Sequence, residues 1–151
     1  PWLGDERYAL TTVALVSSWQ WVGIPAMMFF ARLQNIPGEL LEAAEIDGAS
    51  KMGKILSIRL PLIKPVIGIV TILTFVNNFN AFDVVFAMEN ANGAPSYSTD
   101  LIGTLFYRVG IAGQHPVGIP NPGLGSAIAT STFIMLMAGV VGILGLTKTE
   151  K

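Results

Sequence analysis

The chain has 151 residues, of which 52% are hydrophobic and only 13% are charged, and its mean hydropathy is +0.58. A soluble globular domain carries about 25% charged residues, so this composition excludes most water-soluble classes of protein. The formal net charge of -1 provides no basic excess for binding DNA or RNA. Because the chain has no cysteine, disulfides, thiolate zinc sites and a cysteine nucleophile are also excluded.

The amino-terminal residues do not resemble a secretory signal. The sequence starts at Pro1 and lacks a basic region followed by an apolar core and a small-residue cleavage site. We therefore expect these residues to be a portion of a longer protein.

Three long stretches of the sequence contain no charged residue: 8–31, 65–82 and 124–146. A helix rises 1.5 Å per residue, so about 20 apolar residues cross the hydrocarbon core of a bilayer. One such run could be a buried helix of a large soluble protein, but three runs in so short a chain favour a membrane. The predicted fold class is an all-α membrane protein with three transmembrane helices.

The basic residues predict the orientation of these helices, because cytoplasmic flanks retain Lys and Arg. Loop 32–64 and the carboxyl terminus carry most of them: Arg32, Lys51, Lys54, Arg59, Lys64, Lys148 and Lys151. Only Arg7 and Arg108 fall on the opposite side. We expect the start of the chain outside, loop 32–64 in the cytoplasm, loop 87–122 outside and the carboxyl terminus in the cytoplasm of a multi-pass plasma or inner membrane protein.

The third apolar stretch is rich in small residues. Ala127 with Ser131, and Ala138 with Gly142, are four positions apart and would share one helix face. Small residues let neighbouring helices approach closely in lipid, so this stretch is expected to pack against other helices.

Loop 32–64 predicts two short helices that meet at a corner. Pro37 suits the first turn of a helix over Gly38–Ile46, and Gly48 suits its end. Ser50 is a suitable N-cap for a second helix, which is expected to end before Pro61. Composition alone leaves two interpretations equally open: a knob that fits a groove on another protein, or an ordinary interfacial loop.

Polar residues cluster at the end of the second apolar stretch. Asn77, Asn78, Asn80 and Asp83 stand among phenylalanines. Amides beside aromatic faces suit a sugar, whose hydroxyls need hydrogen-bond partners while its C–H faces pack on rings. The alternative is that these amides form hydrogen bonds between helices. Neither of the first two stretches contains a basic residue to face a phosphate, which favours a neutral solute.

The cytoplasmic loop resembles a known motif. Glu42-Ala43-Ala44, then Gly48, then Leu60-Pro61 match the EAA loop of permease subunits of ATP-binding-cassette importers. The wider pattern is similar to the carbohydrate, maltose-type family, through Ile36-Pro37, Leu40, Ile46-Asp47-Gly48-Ala49, Pro65, Trp2-Leu3-Gly4, residues 21–25 and residues 75–82. The chain departs from the family at Ile55, where many members carry Phe.

The resemblance implies the C-terminal portion of one transmembrane domain of a larger type I permease. Such an importer contains a second permease subunit, two ATPase subunits and an extracytoplasmic solute-binding protein, and ATP hydrolysis occurs in the ATPase subunits. The chain has no phosphate-binding GxxxxGK[ST] loop, in agreement with this role. The coupling residues implied by the motif, which would contact the ATPase, are Glu42, Ala43, Ala44, Asp47, Gly48 and Ala49.

The resemblance also implies a sugar path along the first two spans. The matching positions are Val22, Gly23, Ala26, Asn77, Asn78, Ala81 and Asp83, with Asn80 beside them. Gly23 and Asn78 keep the maltose-type residue, whereas Ala26 replaces an aromatic residue and Ala81 an amide. A sugar other than maltose is therefore the expected substrate.

The sequence leaves several alternatives open. A permease for glycerol phosphate or a polyol belongs to the same class, and a membrane scaffold that anchors a cytoplasmic partner belongs to another. A membrane enzyme is disfavoured because Asp83 stands without an acid, base or nucleophile beside it. No cofactor and no metal are expected, and the single histidine, His115, is given no role.

Overall fold

The computed structural model describes residues 2–147, which contain helices and turns and no β-strand. Pro1, Lys148 and Lys151, all used in the predictions, lie outside the described residues. The helices in chain order are α1 (Glu6–Trp21), α2 (Gly23–Gln34), α3 (Gly38–Ile46), α4 (Lys51–Lys54), α5 (Leu60–Phe79), α6 (Phe82–Glu89), α7 (Ile102–Tyr107) and α8 (Pro122–Thr147). The all-helical prediction is thus confirmed for this part of the chain.

The helices suit a membrane by length and composition. Two continuous runs are long and apolar enough to cross it, namely Lys51–Asn92 and Pro122–Thr147, and α1 with α2 forms a third if the bent pair counts as one span. Nearly all large apolar side chains in these runs are exposed or half-buried, so they remain available to lipid or to neighbouring helices.

The first predicted span is bent, whereas the sequence suggested one helix over 8–31. The chain turns by 42° between α1 and α2 at Val22. Pro25 explains the position of the bend, because it has no N–H for the carbonyl of Trp21 and its ring would clash with that carbonyl.

The second helix of the cytoplasmic loop does not end before Pro61, as the sequence suggested. It continues from α4 through a π-helical turn, Ile55–Arg59, into α5. The amide of Leu60 donates to the carbonyl of Ile55, five residues back. Pro61 has no N–H to donate and directly follows this wider turn, so the chain stays helical there without a regular bond from the proline to the residue four positions back.

Helix α5 packs against α2 on one side and against α8 on the other, while α1 packs against α6. Gly139 of α8 contacts the ring of Phe75 so closely that a Cβ would overlap it. A Cβ on Gly142, in contrast, would meet no atom within 4 Å. Gly139 therefore makes a close contact between α8 and α5, and neither predicted pair of small residues includes it.

The predicted loop 87–122 is folded. After α6, a 3-10 turn over Asn90–Asn92 leads to α7, and a second π-helical turn covers Arg108–Ala112. Arg108 is buried with 3% of its surface exposed, and Thr99 and Thr104 are fully buried. Helix α8 begins against this segment, where the backbones of Gly110 and Gly125 touch.

Candidate functional site

A groove of about 610 Å³ runs between α1, α2 and the second half of α5. Its volume lies in the range of pockets that hold small molecules. Its lining residues come from three helices and from three positions between helices: Leu10, Val13, Ala14, Ser17, Ser18, Trp21, Val22, Ile24, Pro25, Leu73, Thr74, Asn77, Asn78, Ala81 and Leu101. The groove therefore lies alongside the bend at Val22 and beside the carboxyl end of α5.

Two of the helices each present one polar stripe to this groove. On α5 the stripe contains Thr74, Asn77 and Asn78, and on α1 it contains Ser17 and Ser18. Positions three or four residues apart share a helix face, so Thr74 lies over the two amides. The indole of Trp21 completes the wall, which combines hydrogen-bonding groups with an aromatic surface.

The predicted substrate-path residues do not all lie in this groove. Asn77 and Asn78 line it, as do the matching positions Val22 and Ala81. Asn80 lines a separate cleft of about 270 Å³ between α5, α7 and α8.

The other predicted path residues stand outside both spaces. Gly23 opens α2, and a Cβ placed on it would meet no atom within 4 Å. Asp83 is exposed in the first turn of α6, where its charge interacts favourably with the positive end of the helix. Ala26 also lies outside the lining of the groove.

Sequence reasoning missed three of the five hydrogen-bonding residues of this wall. Ser17 and Ser18 of α1 and Thr74 of α5 were not singled out, and Trp21 was noted only within the stretch 21–25 that carries the family resemblance. The signal was present in the sequence, because lining residues of α1 recur at positions 10, 13, 14, 17, 18 and 21, the periodicity of one helix face. The sequence did not show, however, that this face of α1 lines a groove. That depends on how α1 and α2 pack beside α5.

The turn between α3 and α4 has a defined backbone geometry. The amide of Ala49 donates to the carbonyl of Ala44 at 2.8 Å, and the amide of Gly48 donates to the carbonyl of Glu45 at 3.0 Å. These two bonds form a Schellman motif, which requires a left-handed residue after the helix. Gly48 supplies it, with φ of +77°.

Side chains join the two helices that flank this turn. The hydroxyl of Ser50 accepts a hydrogen bond from the amide of Gly53 at 3.1 Å and so caps α4. Lys54 forms an ion pair with Glu45 at 2.9 Å. The turn is therefore a fixed corner, although it lies at the surface.

The predicted coupling residues lie together around this corner. Glu42, Ala43, Asp47 and Gly48 are exposed, while Ala44 and Ala49 are half-buried. Ile46 is 87% exposed beside them. An exposed apolar side chain flanked by small residues and carboxylates is chemically suited to contact another protein.

A basic residue of loop 32–64 joins the two helices that flank this loop. Arg32, at the end of α2, donates from Nε to the carbonyl of Leu62 in α5 at 3.0 Å. This bond holds the end of α2 to the beginning of α5.

Comparison with known proteins identifies the family. The profile of the binding-protein-dependent transport system inner membrane component matches residues 1–147. The chain is 34% identical over 145 residues to the arabinooligosaccharides transport system permease protein AraP of Bacillus subtilis, covering 96% of this chain and 44% of that protein.

Two further relatives match the chain with similar identity and coverage. The multiple sugar-binding transport system permease protein MsmF of Streptococcus mutans is 34% identical over 99% of this chain and 48% of its own length. The trehalose/maltose transport system permease protein MalF of Thermococcus litoralis is 32% identical over 91% of this chain and 43% of its own length. The chain thus spans less than half of the length of these three relatives.

These findings confirm the resemblance inferred from the EAA motif, and they assign the chain to transport components of the membrane and not to enzymes. The chain belongs to the family of binding-protein-dependent transport system inner membrane components.

Proposed function

We propose that the groove between α1, α2 and α5 is part of the path of a neutral sugar through an ATP-driven importer. The observation that carries this proposal is the composition of its wall, in which hydroxyls and amides of Ser17, Ser18, Thr74, Asn77 and Asn78 stand beside Trp21. Sugars need hydrogen-bond partners for their hydroxyls and a flat surface for their C–H faces.

The electrostatics of the groove favour a neutral solute over a phosphorylated one. The residues that line it include no Lys and no Arg. A phosphate group would be expected to contact a cationic side chain. We therefore propose that neutral sugars and polyols suit the groove better as substrates than glycerol phosphate does.

We propose further that the α3–α4 turn contacts an ATPase subunit. Glu42, Ala43, Ala44, Asp47, Gly48 and Ala49 would form the contact, and α4 is joined by continuous helix to α5, which lines the groove. A displacement of the turn would then be transmitted directly to the wall that carries Asn77 and Asn78.

The remaining assembly follows from the same proposal. It contains a second permease subunit, two ATPase subunits and an extracytoplasmic solute-binding protein, and the turn lies in the cytoplasm while segment 87–122 lies outside. This chain would supply the C-terminal portion of its permease domain.

Two substitutions of one residue test the coupling role, in the full-length subunit assembled with its partners in liposomes. Gly48→Ala forces a left-handed conformation that L residues other than Asn and Asp rarely adopt, whereas Gly48→Asn accepts it more readily. We expect ATP-dependent uptake to fall strongly in Gly48→Ala and to be retained better in Gly48→Asn. Wild-type uptake and ATPase retention in both variants would reject the coupling role.

The role of the groove is tested by replacing asparagine with leucine at positions inside and outside it. Leu has nearly the shape of Asn without its hydrogen-bonding groups, and a hydrogen bond contributes about 0.5–1.5 kcal/mol. We expect Asn77→Leu and Asn78→Leu to raise KM for the transported sugar about twofold to tenfold. Asn80→Leu, which changes the separate cleft, is the control. An increase in KM for Asn80→Leu alone would move the path to that cleft.

A further inference from the structure

The segment between α6 and α8 contributes a single side chain, Leu101, to the wall of the groove. Leu101 also packs on a small cluster of buried residues, Val13 of α1 with Val84 and Val85 of α6. It therefore stands where α1, α6 and the start of α7 meet, at the end of the groove lined by Leu10 and Val13.

The backbone of Leu101 is held by the side chain of Thr104, a fully buried residue. The hydroxyl of Thr104 accepts a hydrogen bond from the amide of Leu101 at 2.8 Å. Its own proton is directed to Asp100 Oδ1 at 2.7 Å or to the carbonyl of Leu101 at 2.8 Å. Donor and acceptor functions of this hydroxyl are thus both used next to Leu101.

Asp100 is fixed in turn by Arg108. The guanidinium donates to both carboxylate oxygens, at 3.1 Å to Oδ1 and 2.7 Å to Oδ2, and also to the carbonyl of Ala91 at 3.0 Å. Such bidentate pairs restrain geometry as well as adding energy. The ring of Tyr97 lies 5.2 Å from the guanidinium carbon and covers it.

These contacts form a short chain from the end of α6 to the groove. Ala91 follows α6, Arg108 joins it to Asp100, and Thr104 joins Asp100 to the backbone of Leu101. Asp100, Thr104 and Arg108 are named here the Arg108 cluster. The cluster touches the groove through no side chain of its own, so its effect on the groove passes through Leu101.

We propose that Leu101 closes one end of the sugar groove, and that the Arg108 cluster is a positioning device that holds it closed. This inference rests on the proposed function, because it takes the groove as the path. An apolar side chain at this place narrows the opening and presents no hydrogen-bonding group, so it restricts which solutes enter by their size.

Thiol labelling of the assembled full-length transporter tests the closure. The 151 residues contain no cysteine, so Ser17→Cys introduces one thiol into the groove wall of this segment. A bulky, membrane-impermeant maleimide then reports access to the groove. We expect Leu101→Ala to increase the labelling rate about tenfold, which corresponds to about 1.4 kcal/mol of lost closure. Leu101→Met, of similar volume, should leave the rate near that of the parent.

The positioning role is tested with two substitutions of Thr104. Thr104→Val keeps the shape and removes the hydroxyl, so it should increase labelling of the introduced thiol as Leu101→Ala does. Thr104→Ser keeps the hydroxyl and should restore slow labelling. Ile111→Ala, at a 57% exposed position of the same segment, is the control for nonspecific loosening.

The uptake of solutes of increasing size distinguishes a failure of the closure from a failure of the proposed function. If the wild type imports a sugar, Leu101→Ala should extend uptake to larger homologues of that sugar. Unchanged labelling and unchanged size selection in Leu101→Ala, in a transporter that still imports sugar, would overturn the closure alone. Absence of sugar uptake by the assembled wild type would instead overturn the proposed function.

Discussion

The α3–α4 turn and the Ala91–Ala112 segment are both compact connections between longer helices, but they are held together in different ways. The turn depends on backbone hydrogen bonds, one left-handed glycine and the cap from Ser50, while its side chains are largely exposed. The Ala91–Ala112 segment depends on buried side chains, chiefly Arg108 and Asp100.

This difference teaches how each connection can serve a transporter. A corner fixed by its backbone leaves its side chains available for a partner protein. A segment fixed by buried side chains can hold one residue, Leu101, in place against the groove. Substitutions in the turn should therefore lower stability only locally and modestly. Substitutions in the Ala91–Ala112 segment should lower the stability of the fold strongly.

The largest effect is expected from Arg108→Met. Removing one partner of a buried ion pair leaves the other charge without compensation, and such losses amount to about 3–5 kcal/mol. The side chains of Arg108 and Asp100 are 4% and 21% exposed, so solvent cannot replace the lost contact fully. Thermal unfolding of the purified transporter measures the loss, with the exposed Arg7→Met as control. Equal stability of the two variants would contradict the contrast between the regions.

A smaller effect is expected from Thr99→Val in the same segment. Thr99 is fully buried, and its hydroxyl donates to the carbonyl of Ala94 at 2.7 Å. The isosteric change leaves that carbonyl without its partner, which destabilises by about 1–3 kcal/mol. Limited proteolysis should detect earlier cleavage between α6 and α7, and Thr99→Ser should behave as the wild type. No change in cleavage would indicate that this hydroxyl contributes little.

In the turn, Ser50→Ala should have a local effect of about 1 kcal/mol, the usual contribution of an N-cap. Amide hydrogen exchange at Gly53, which donates to Ser50, should become about fivefold faster. Exchange in Ala91–Ala112 should remain unchanged. Ser50→Asp, another good N-cap, should restore slow exchange. A change of exchange in both regions would show that they are coupled and not independently held.

The smallest effect is expected from Lys54→Gln. This substitution removes the ion pair with Glu45, whose side chain is 75% exposed, and exposed pairs contribute about 0.2–1 kcal/mol. Because salt screens such pairs, any difference in exchange of the α4 amides between variant and wild type should diminish in concentrated salt. A larger loss that persists in salt would mean that Lys54 packs in a way its charge does not explain.

Much of the local structure was predictable from the sequence. The apolar stretches 8–31, 65–82 and 124–146 predicted membrane-length helices, because long apolar runs without charge are typical of helices that cross a bilayer. Gly48 and Ser50 predicted the corner between α3 and α4, because a left-handed glycine and an N-cap act over a few residues. The EAA motif around Glu42 was sufficient to indicate the correct family, because the motif lies within one short stretch of the chain.

The sequence alone did not predict how these helices bend and meet. Pro25 and Pro61 are both compatible with a break, yet one produces a 42° bend and the other lies in a helix that continues through a π-helical turn. The π-helical turn directly before Pro61 marks the difference, and helix propensity does not predict such a turn. Similarly, Asn77 and Asn80 have the same chemistry, and only the packing of α5 between α2 and α8 assigns them to different cavities.

What the sequence by itself determined about this protein is its class: an all-helical membrane component of a binding-protein-dependent transport family, with a corner at Gly48. Those features arise from composition and from contacts between near neighbours in the chain. The tertiary structure alone decided that α1 and α5 share a groove and that Arg108 joins Asp100 and Ala91. Such contacts bring together distant residues, and they exist only once the helices have packed.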